Sequence, residues 1–143
     1  MATVWDAWVR FVTSGHESIF RMSGGRTQGT VLGMRAVRMT SVGARSGALR
    51  TVMLIAPVID RDRIVVVGSN MGSDESPAWY HNVVAHPFVE VDTGGSSRAM
   101  RARVVTGGER VQVWAEVVRA APIYELYQAR TPRQLPILVL EPC

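Results

Sequence analysis

The chain has 143 residues, enough for one domain with a single core and too few for two. Its 47% of hydrophobic and 20% of charged residues exclude disorder over most of the length, and charges interrupt every apolar run before the ~18 residues that a membrane-spanning helix needs. The net charge is +4 and every basic residue is arginine, whose guanidinium group suits phosphates and carboxylates. An anionic partner is expected, which at this point leaves nucleic acid, an anionic membrane surface and an anionic small molecule open.

Three features of the sequence indicate a cytoplasmic protein without a metal site. The start of the chain lacks the basic region and apolar run of a secretory signal. The single cysteine, Cys143, excludes an internal disulfide and a cysteine-based metal cluster. His81 and His86 lie five residues apart, which does not place both on one helical face as a metal pair requires.

Residues 3–22 are predicted to form an amphipathic helix. Trp5, Trp8, Val9 and Val12 recur at the spacing of one helical face. This face either packs on the domain or seats the chain at a membrane surface, where tryptophan and arginine are favoured. Both alternatives stay open, and residues 23–143 are expected to form the rest of a single domain that covers residues 1–143.

From Thr30 onward the pattern changes to that of β-strands. Strands are predicted over residues 30–42, 51–59, 63–69, 88–92, 97–105 and 135–140. The short turns between them predict mainly antiparallel pairing, and a sheet of about six such strands tends to close into a barrel because closure removes its edges. The predicted fold is α+β, a small barrel with flanking helices.

Two helices are predicted between these strands. Ser76 is expected to cap a helix that begins at Pro77 and runs to about residue 85. Thr106 and Glu109 have the spacing of a capping box, which predicts a second helix to about residue 121. A short turn is expected between this helix and the last strand.

The loop that follows the first strand has the features of an anion site. Gly43 and Gly47 allow backbone amides to turn toward a ligand, Ser46 supplies a hydroxyl, and Arg45 and Arg50 add positive charge. The loop lacks the Gly-Lys-Ser/Thr ending of a nucleoside-triphosphate loop. A solvated basic turn is the alternative for this loop taken alone.

Two further segments suit a binding site. A polar loop, residues 68–73, leaves the strand predicted to be most buried, and Trp79 and Tyr80 at a helix start can stack on a planar ligand. No Ser-His-Asp order and no carboxylate pair point to hydrolysis. If the protein is an enzyme, a bound cofactor is expected to supply the chemistry.

Together these segments resemble the deazaflavin-dependent nitroreductase family, the actinobacterial reductases that use 8-hydroxy-5-deazaflavin, coenzyme F420. The motifs that carry the resemblance lie at residues 40–47 with 50–51, 65–70, 77–82 with 85–87, and 124–131 with 136. They follow the order and spacing of the family from about residue 24 to residue 142. The resemblance implies a split β-barrel and an oxidoreductase that transfers a hydride.

The resemblance also assigns roles to residues of this chain. Arg45, Ser46 and Arg50 would hold the phosphate of the cofactor. The other implied cofactor contacts are Thr51, Val52, Met53, Leu54, Ile55, Val67, Gly68, Ser69, Asn70, Ala78, Trp79, Tyr80, His81, Asn82 and Tyr124. The implied catalytic residues are Tyr124 and Tyr127, which would position the acceptor or donate a proton, and Ser69, which would hydrogen-bond the acceptor carbonyl.

The implied hydride acceptors are small molecules: quinones, nitro compounds and α,β-unsaturated carbonyls such as coumarin-type lactones. Nucleic acid is therefore not expected as a partner. Ala44 stands where the family commonly has arginine and Arg45 where it has lysine, which alters the phosphate contacts without removing them. Leu49 and Met53 each replace a usual proline. Ala121 stands where some members have a third tyrosine, which would widen the acceptor side.

Three questions stay open on the sequence. A non-catalytic barrel that binds fatty acids is one alternative, although such a carrier would not need a phosphate loop. A reductase that uses flavin mononucleotide is another, because the two ring systems are alike. The protein could be a monomer or a homodimer, with peripheral membrane contact through its first helix.

Overall fold

The structure, a computed structural model, describes residues 30–31 and 34–143, with side chains from Arg35 onward. The predicted helix over residues 3–22 and the loop after it lie outside the described residues. The described strands are β1 (Thr30–Val31), β2 (Met34–Val42), β3 (Leu49–Ala56), β4 (Val58–Asp60), β5 (Arg63–Val67), β6 (Phe88–Asp92), β7 (Ser97–Val104) and β8 (Ile137–Pro142). The described helices are α1 (Ala78–Ala85), α2 (Gly107–Ala120) and α3 (Ile123–Ala129).

All strand pairings in the described residues are antiparallel, and they form one sheet. The sheet runs in the order β2, β6, β7, β8, β5, β4, and β3 pairs with the other edge of β2. Cα atoms of β3 come within 8 Å of Cα atoms of β5, so the sheet curls back toward its own far edge. The α+β barrel predicted from the sequence is confirmed.

The core has two layers, one on each side of the sheet. Alternate strand residues fill the barrel interior, among them Met39, Ile64 and Met100. The outer faces of β5 and β8 pack beneath α2 and α3 around Val65 and Ile137. β5 is therefore buried on both faces, as its unbroken apolar run predicted.

Several predicted elements differ in the structure. The strand predicted over residues 30–42 is divided into β1 and β2, which pair with each other. The strand predicted over residues 51–59 is divided at Pro57, which has no N–H to donate to a strand ladder. β3 pairs with β2, whereas β4 forms a hairpin with β5. The turn expected around Tyr124 and Tyr127 is helix α3, and β8 begins two residues later than predicted. None of the described helices is long and apolar enough to cross a bilayer.

The two predicted helix caps fare differently, although both helices lie where the sequence placed them. Ser76 lies one position before the N-cap of α1, and its hydroxyl accepts a hydrogen bond from Arg133 Nη1 at 3.1 Å. Thr106 is the N-cap residue of α2, as predicted, but its side chain makes no capping bond. Glu109, the other member of the predicted capping box, pairs instead with Arg103 of β7, with Oε1 2.7 Å from Nη1. Other partners thus occupy the side chains of Ser76 and Glu109 that local capping would use.

Candidate active site

The loops predicted to carry the site leave the sheet at one end of the barrel. Four antiparallel pairings separate β2 from β5, so the two strands run in the same direction. The anion loop, residues 43–48, follows β2, and the β5–α1 loop, residues 68–76, follows β5. Both loops therefore lie at the end where these strands finish.

The anion loop is a tight turn built around the Ser46 hydroxyl. Gly43 N–H donates to Ala48 O at 2.7 Å, and Gly47 N–H donates to Gly43 O at 3.0 Å. Ser46 Oγ accepts from Ala48 N–H and from Arg50 Nη2, each at 3.1 Å. Gly47 has a φ of 71°, a conformation that favours glycine. The predicted loop is thus present, and Ser46 orients the guanidinium group of Arg50, the second residue of β3, beside it.

The anion loop keeps donors available for a ligand. The backbone N–H groups of Arg45 and Ser46 have no acceptor among the described residues, and the Arg45 side chain is exposed. The Arg50 guanidinium, which donates to the Ser46 hydroxyl, adds positive charge beside these backbone donors. This donor set fits a phosphate group.

Helix α1 holds the anion loop in place through Asn82. Asn82 Oδ1 accepts a hydrogen bond from Ala44 N–H at 2.9 Å. Trp79 and Tyr80 at the start of α1 are half-buried and pack on the barrel interior, and His81 is exposed. The structure thus gives Asn82 a contact with the loop itself, which the sequence had not indicated.

The five residues predicted on β3 divide between its two faces. Val52 and Leu54 point into the barrel interior, and Thr51, Met53 and Ile55 alternate with them. Thr51 Oγ1 lies 3.0 Å from a threonine hydroxyl of β2 on that second face. Side chains of neighbouring β3 residues therefore cannot all face one ligand.

Ser41 adds a buried hydroxyl beneath the anion loop. Among the buried side-chain polar atoms of the described residues, Ser41 Oγ is the one that lacks a hydrogen-bond partner. Ser41 is the cross-strand partner of Arg50, so both side chains stand on the same face of the sheet. The motif of the resemblance contained Ser41, but only the strand register associates it with Arg50.

Gly68 fixes the start of the β5–α1 loop against Pro136. Its N–H donates to Pro136 O at 2.8 Å, and a Cβ at this position would lie 2.7 Å from Pro136 Cγ. Val67 and Gly68 are buried, Ser69 is half-buried and Asn70 is exposed. Of the four, Ser69 and Asn70 have side chains within reach of solvent.

Arg133, which no sequence motif indicated, organises the rest of this loop. The Arg133 guanidinium donates hydrogen bonds to carbonyl groups of the β5–α1 loop and to the Ser76 hydroxyl. Its separation from the loop by more than 50 positions leaves no local signal. The resemblance, whose last motif ends at residue 131 and resumes at Pro136, also passes over it.

Tyr124 and Tyr127 lie on α3, beside the β5–α1 loop. Their rings meet edge to face with centroids 5.7 Å apart. Tyr124 is 4% exposed, packed with Ala121 in the outer core layer, and burial raises its pKa to about 12, with a smaller contribution from Tyr127. A Cβ on Gly72 would lie 2.7 Å from Tyr127 O, so α3 and the loop are in close contact. Ala121 is itself buried there, so any extra space it leaves lies within this packed layer.

A groove of about 620 Å³ lies between α2 and the segment after α3, away from the predicted residues. Thr106, Arg110, Trp114 and Gln128 contribute to its walls. The Arg110 guanidinium carbon lies 5.8 Å from the Trp114 ring centroid, and burial lowers the pKa of Arg110. None of the cofactor-binding or catalytic residues that the resemblance implies lines this groove.

Comparison with known proteins identifies the family. A family profile described as F420H(2)-dependent quinone reductase matches residues 12–142. The chain belongs to this family. Membership confirms the resemblance seen in the sequence motifs, makes the protein an oxidoreductase, and makes coenzyme F420 its cofactor.

Individual relatives agree with the family assignment. An F420H(2)-dependent quinone reductase of Mycobacterium tuberculosis is 32% identical over 129 residues, which cover 87% of this chain and 86% of the relative. A solved structure described as an F420-H2 dependent reductase, FDR-A, aligns with a TM-score of 0.67 and 36% identity over 74% of this chain and 93% of its own. A second, described as a domain-swapped dimer, aligns with a TM-score of 0.68 and 34% identity over 88% and 99%.

The family cofactor and the anion loop are chemically compatible. Coenzyme F420 carries a phosphate between its deazaflavin ring system and its glutamate tail. The amides of Arg45 and Ser46 and the guanidinium groups beside them are donors of the kind that a phosphate accepts from. The residues present therefore fit the cofactor that the family requires.

Proposed function

We propose that the protein transfers a hydride from reduced coenzyme F420 to a quinone, and that Arg45, Ser46 and Arg50 bind the cofactor's phosphate. The observation that carries this proposal is the donor set of the anion loop, with its two backbone N–H groups that lack an acceptor among the described residues. A basic turn without a ligand would have no need to orient Arg50 through a serine hydroxyl. When bound, the cofactor supplies the hydride, and the protein supplies position and exclusion of water.

We propose further that the cofactor lies along the end of the barrel shared by both loops. The half-buried rings of Trp79 and Tyr80 suit contact with a planar ring system. Asn82 would contribute by holding Ala44 and so the anion loop. On β3, Thr51, Met53 and Ile55 are proposed to contact the cofactor through their side chains, and Val52 and Leu54 through their backbone, because their side chains face the barrel interior. The other proposed contacts are Val67, Gly68, Ser69, Asn70, Ala78, His81 and Tyr124.

Tyr124, Tyr127 and Ser69 are proposed to act on the acceptor. The Tyr124 hydroxyl is protonated at neutral pH, so it can donate a hydrogen bond or a proton to the acceptor. Ser69 is half-buried in the loop that α3 contacts, which suits a hydrogen bond to an acceptor carbonyl. Nitro compounds and α,β-unsaturated lactones are proposed as further acceptors, since both accept a hydride at a carbon or nitrogen activated by oxygen.

Two properties of the whole protein are also proposed. The domain-swapped dimer among the similar structures favours a homodimer over a monomer, and light scattering of the full chain at two concentrations separates them. Residues 3–22 are proposed to bring the protein to a membrane surface. Vesicle co-sedimentation of the wild type and a Trp5→Ser/Trp8→Ser variant tests this, and equal sedimentation would contradict it.

The function is tested by steady-state oxidation of reduced coenzyme F420 with a naphthoquinone, a nitroaromatic compound and a coumarin as separate acceptors. We expect turnover with the quinone, and a raised KM for the cofactor in Arg45→Gln. Arg61→Gln is the matched control, because Arg61 is an exposed arginine in the turn at the opposite end of β5. Absence of turnover with every acceptor, in protein that is folded, would contradict the proposal.

A further inference from the structure

We infer that Arg133 is a positioning residue for the reductase, because its guanidinium group fixes the β5–α1 loop that carries Ser69. The inference rests on the proposed function in one respect, namely that this loop borders the reacting groups. The contacts of Arg133 themselves are independent of that proposal.

All three guanidinium nitrogens of Arg133 donate hydrogen bonds to the β5–α1 loop. Nε donates to Ser73 O at 2.8 Å, and Nη1 donates to Ser76 Oγ at 3.1 Å. Nη2 is 3.2 Å from Gly68 O, 2.9 Å from Ser69 O and 3.2 Å from Glu75 O. The acceptors come from both ends of the loop, so a single side chain joins its start to its finish.

The loop has a backbone conformation that needs such support. Asn70 has a φ of 46° and Met71 a φ of 55°, both in the left-handed region that non-glycine residues rarely adopt. Met71 is 69% exposed, so its own packing does not stabilise this conformation. Within the loop, Asn70 Nδ2 donates to Glu75 O at 3.0 Å. From outside the loop, Arg133 supplies a charged donor to the carbonyls of Gly68 and Ser69, which would lose it without this side chain.

Arg133 is itself held from the other side, by the segment that follows α3. Gln128 Nε2 donates to Arg133 O at 2.7 Å. Thr131 Oγ1 donates to Asp74 Oδ1 of the loop at 2.8 Å and lies 3.4 Å from Arg133 N. The segment with Arg133 thus connects α3, which carries Tyr124 and Tyr127, to the loop that carries Ser69. Arg133 sets the position of Ser69 relative to the two tyrosines.

Lysine cannot replace arginine in this role. Its ammonium group is a single point from which donors radiate, whereas the guanidinium group spreads five N–H groups over a plane. Here three different guanidinium nitrogens donate the hydrogen bonds, and the acceptor oxygens belong to residues between 68 and 76. We therefore expect Arg133→Lys to retain the charge and lose most of the positioning.

The test compares Arg133→Lys, Arg133→Gln and Arg133→Ala with the wild type and with Arg103→Gln. Arg103 is a suitable control because it also makes several side-chain hydrogen bonds, to Glu109 and Glu141, on the outer surface of β7. The measurements are kcat and KM for a naphthoquinone with reduced coenzyme F420, the melting temperature, and hydrogen exchange of the Gly72 and Ser73 amides in the cofactor-free protein. These amides are hydrogen-bonded within the loop, to Ser69 O at 2.8 Å and Asn70 O at 3.0 Å.

We expect kcat of the Lys and Gln variants to fall at least about tenfold, the size expected when a charged donor is lost, with faster exchange at Gly72 and Ser73 and a melting temperature no lower than that of Arg103→Gln. Free guanidinium added to Arg133→Ala is expected to restore part of kcat, which a general loss of stability would not allow. Unchanged kcat, or a loss explained by the unfolded fraction alone, would overturn the positioning role. A wild type that does not oxidise the reduced cofactor would overturn the proposed function instead, while the exchange rates would still decide whether Arg133 fixes the loop.

Discussion

Single side chains of the anion loop decide how well it can hold a phosphate. Ser46 Oγ accepts hydrogen bonds from Ala48 N–H and Arg50 Nη2, so it both closes the turn and aims the arginine. Ser46→Ala is expected to weaken cofactor binding about fivefold, corresponding to ~1 kcal/mol for one neutral hydrogen bond. Fluorescence titration with oxidised coenzyme F420 measures this. Ser97→Ala, which removes a surface hydroxyl that donates to Glu90, should leave the affinity unchanged.

Tyr124 is expected to be important for turnover and unimportant for cofactor affinity. Tyr124→Phe keeps the buried ring and removes only the hydroxyl, which is proposed to donate a hydrogen bond or a proton to the acceptor. We expect kcat with a quinone to fall about 100-fold, the lower end of the range for the loss of one proton donor, and the dissociation constant of the cofactor to change little. Unchanged turnover would remove Tyr124 from the mechanism.

The same tyrosine predicts how stability responds to alkaline pH. Its pKa is about 12 in the folded protein, against an ordinary value of 10.0, because burial disfavours the phenolate. Between these values the unfolded chain releases the proton and the folded chain keeps it, so the free energy of unfolding falls as pH rises, by roughly 3 kcal/mol in total. Denaturant unfolding from pH 9 to pH 12 should show this decline in the wild type and a weaker one in Tyr124→Phe. Equal slopes in the two proteins would contradict the assignment.

At the scale of elements, the β5–α1 loop depends on close packing at Gly68. A Cβ there would lie 2.7 Å from Pro136 Cγ, whereas a Cβ on Gly95 would meet no atom within 4 Å. Gly68→Ala is expected to lower the free energy of unfolding by about 1–3 kcal/mol, the usual cost of overpacking, and to reduce activity because Ser69 moves with it. Gly95→Ala should change stability by less than about 0.5 kcal/mol. Thermal and denaturant unfolding of both variants checks the difference, and similar losses in the two would show that the Pro136 contact is not tight.

The sequence predicted the elements well because most of their signals are local. The apolar run of β5, the short connection between β6 and β7, and the end of α2 near residue 121 are all confirmed. The failures involve partners outside the helix concerned. Ser76 looked like a cap, but Arg133, 57 positions away, donates to its hydroxyl. Glu109 looked like part of a capping box, but it pairs with Arg103 of the preceding strand. Neither partner belongs to the local capping pattern, so the pattern alone does not reveal it.

At the scale of the molecule, the candidate site comes from strand direction. The anion loop and the β5–α1 loop meet at one end because β2 and β5 run in the same direction through four antiparallel pairings. The sequence motifs supplied the residues of both loops, but not the hydrogen bond from Ala44 to Asn82 or the role of Arg133. Those contacts span 38 or more positions, and no periodicity within one element encodes them.

Charge across this end of the barrel predicts a dependence of binding on salt. Coenzyme F420 is a polyanion, and Arg45 is exposed, so its attraction to the cofactor is open to screening. We expect the dissociation constant to rise steadily between 50 mM and 500 mM salt in the wild type, and less steeply in Arg45→Gln, as the Debye length falls from about 14 Å to about 4 Å. Parallel salt dependences in the two proteins would place the cofactor charge away from Arg45.

The most direct test of the account is a fluorescence titration of the full chain with oxidised coenzyme F420, with flavin mononucleotide in parallel. The proteins compared are the wild type, Arg45→Gln/Arg50→Gln and the control Arg61→Gln. We expect the wild type and the control to bind coenzyme F420 saturably and in preference to the flavin. We expect the double variant to bind coenzyme F420 with an affinity at least about tenfold lower. Equal affinity of all three proteins would contradict phosphate binding by the anion loop, and no binding by the folded wild type would contradict the cofactor site as a whole.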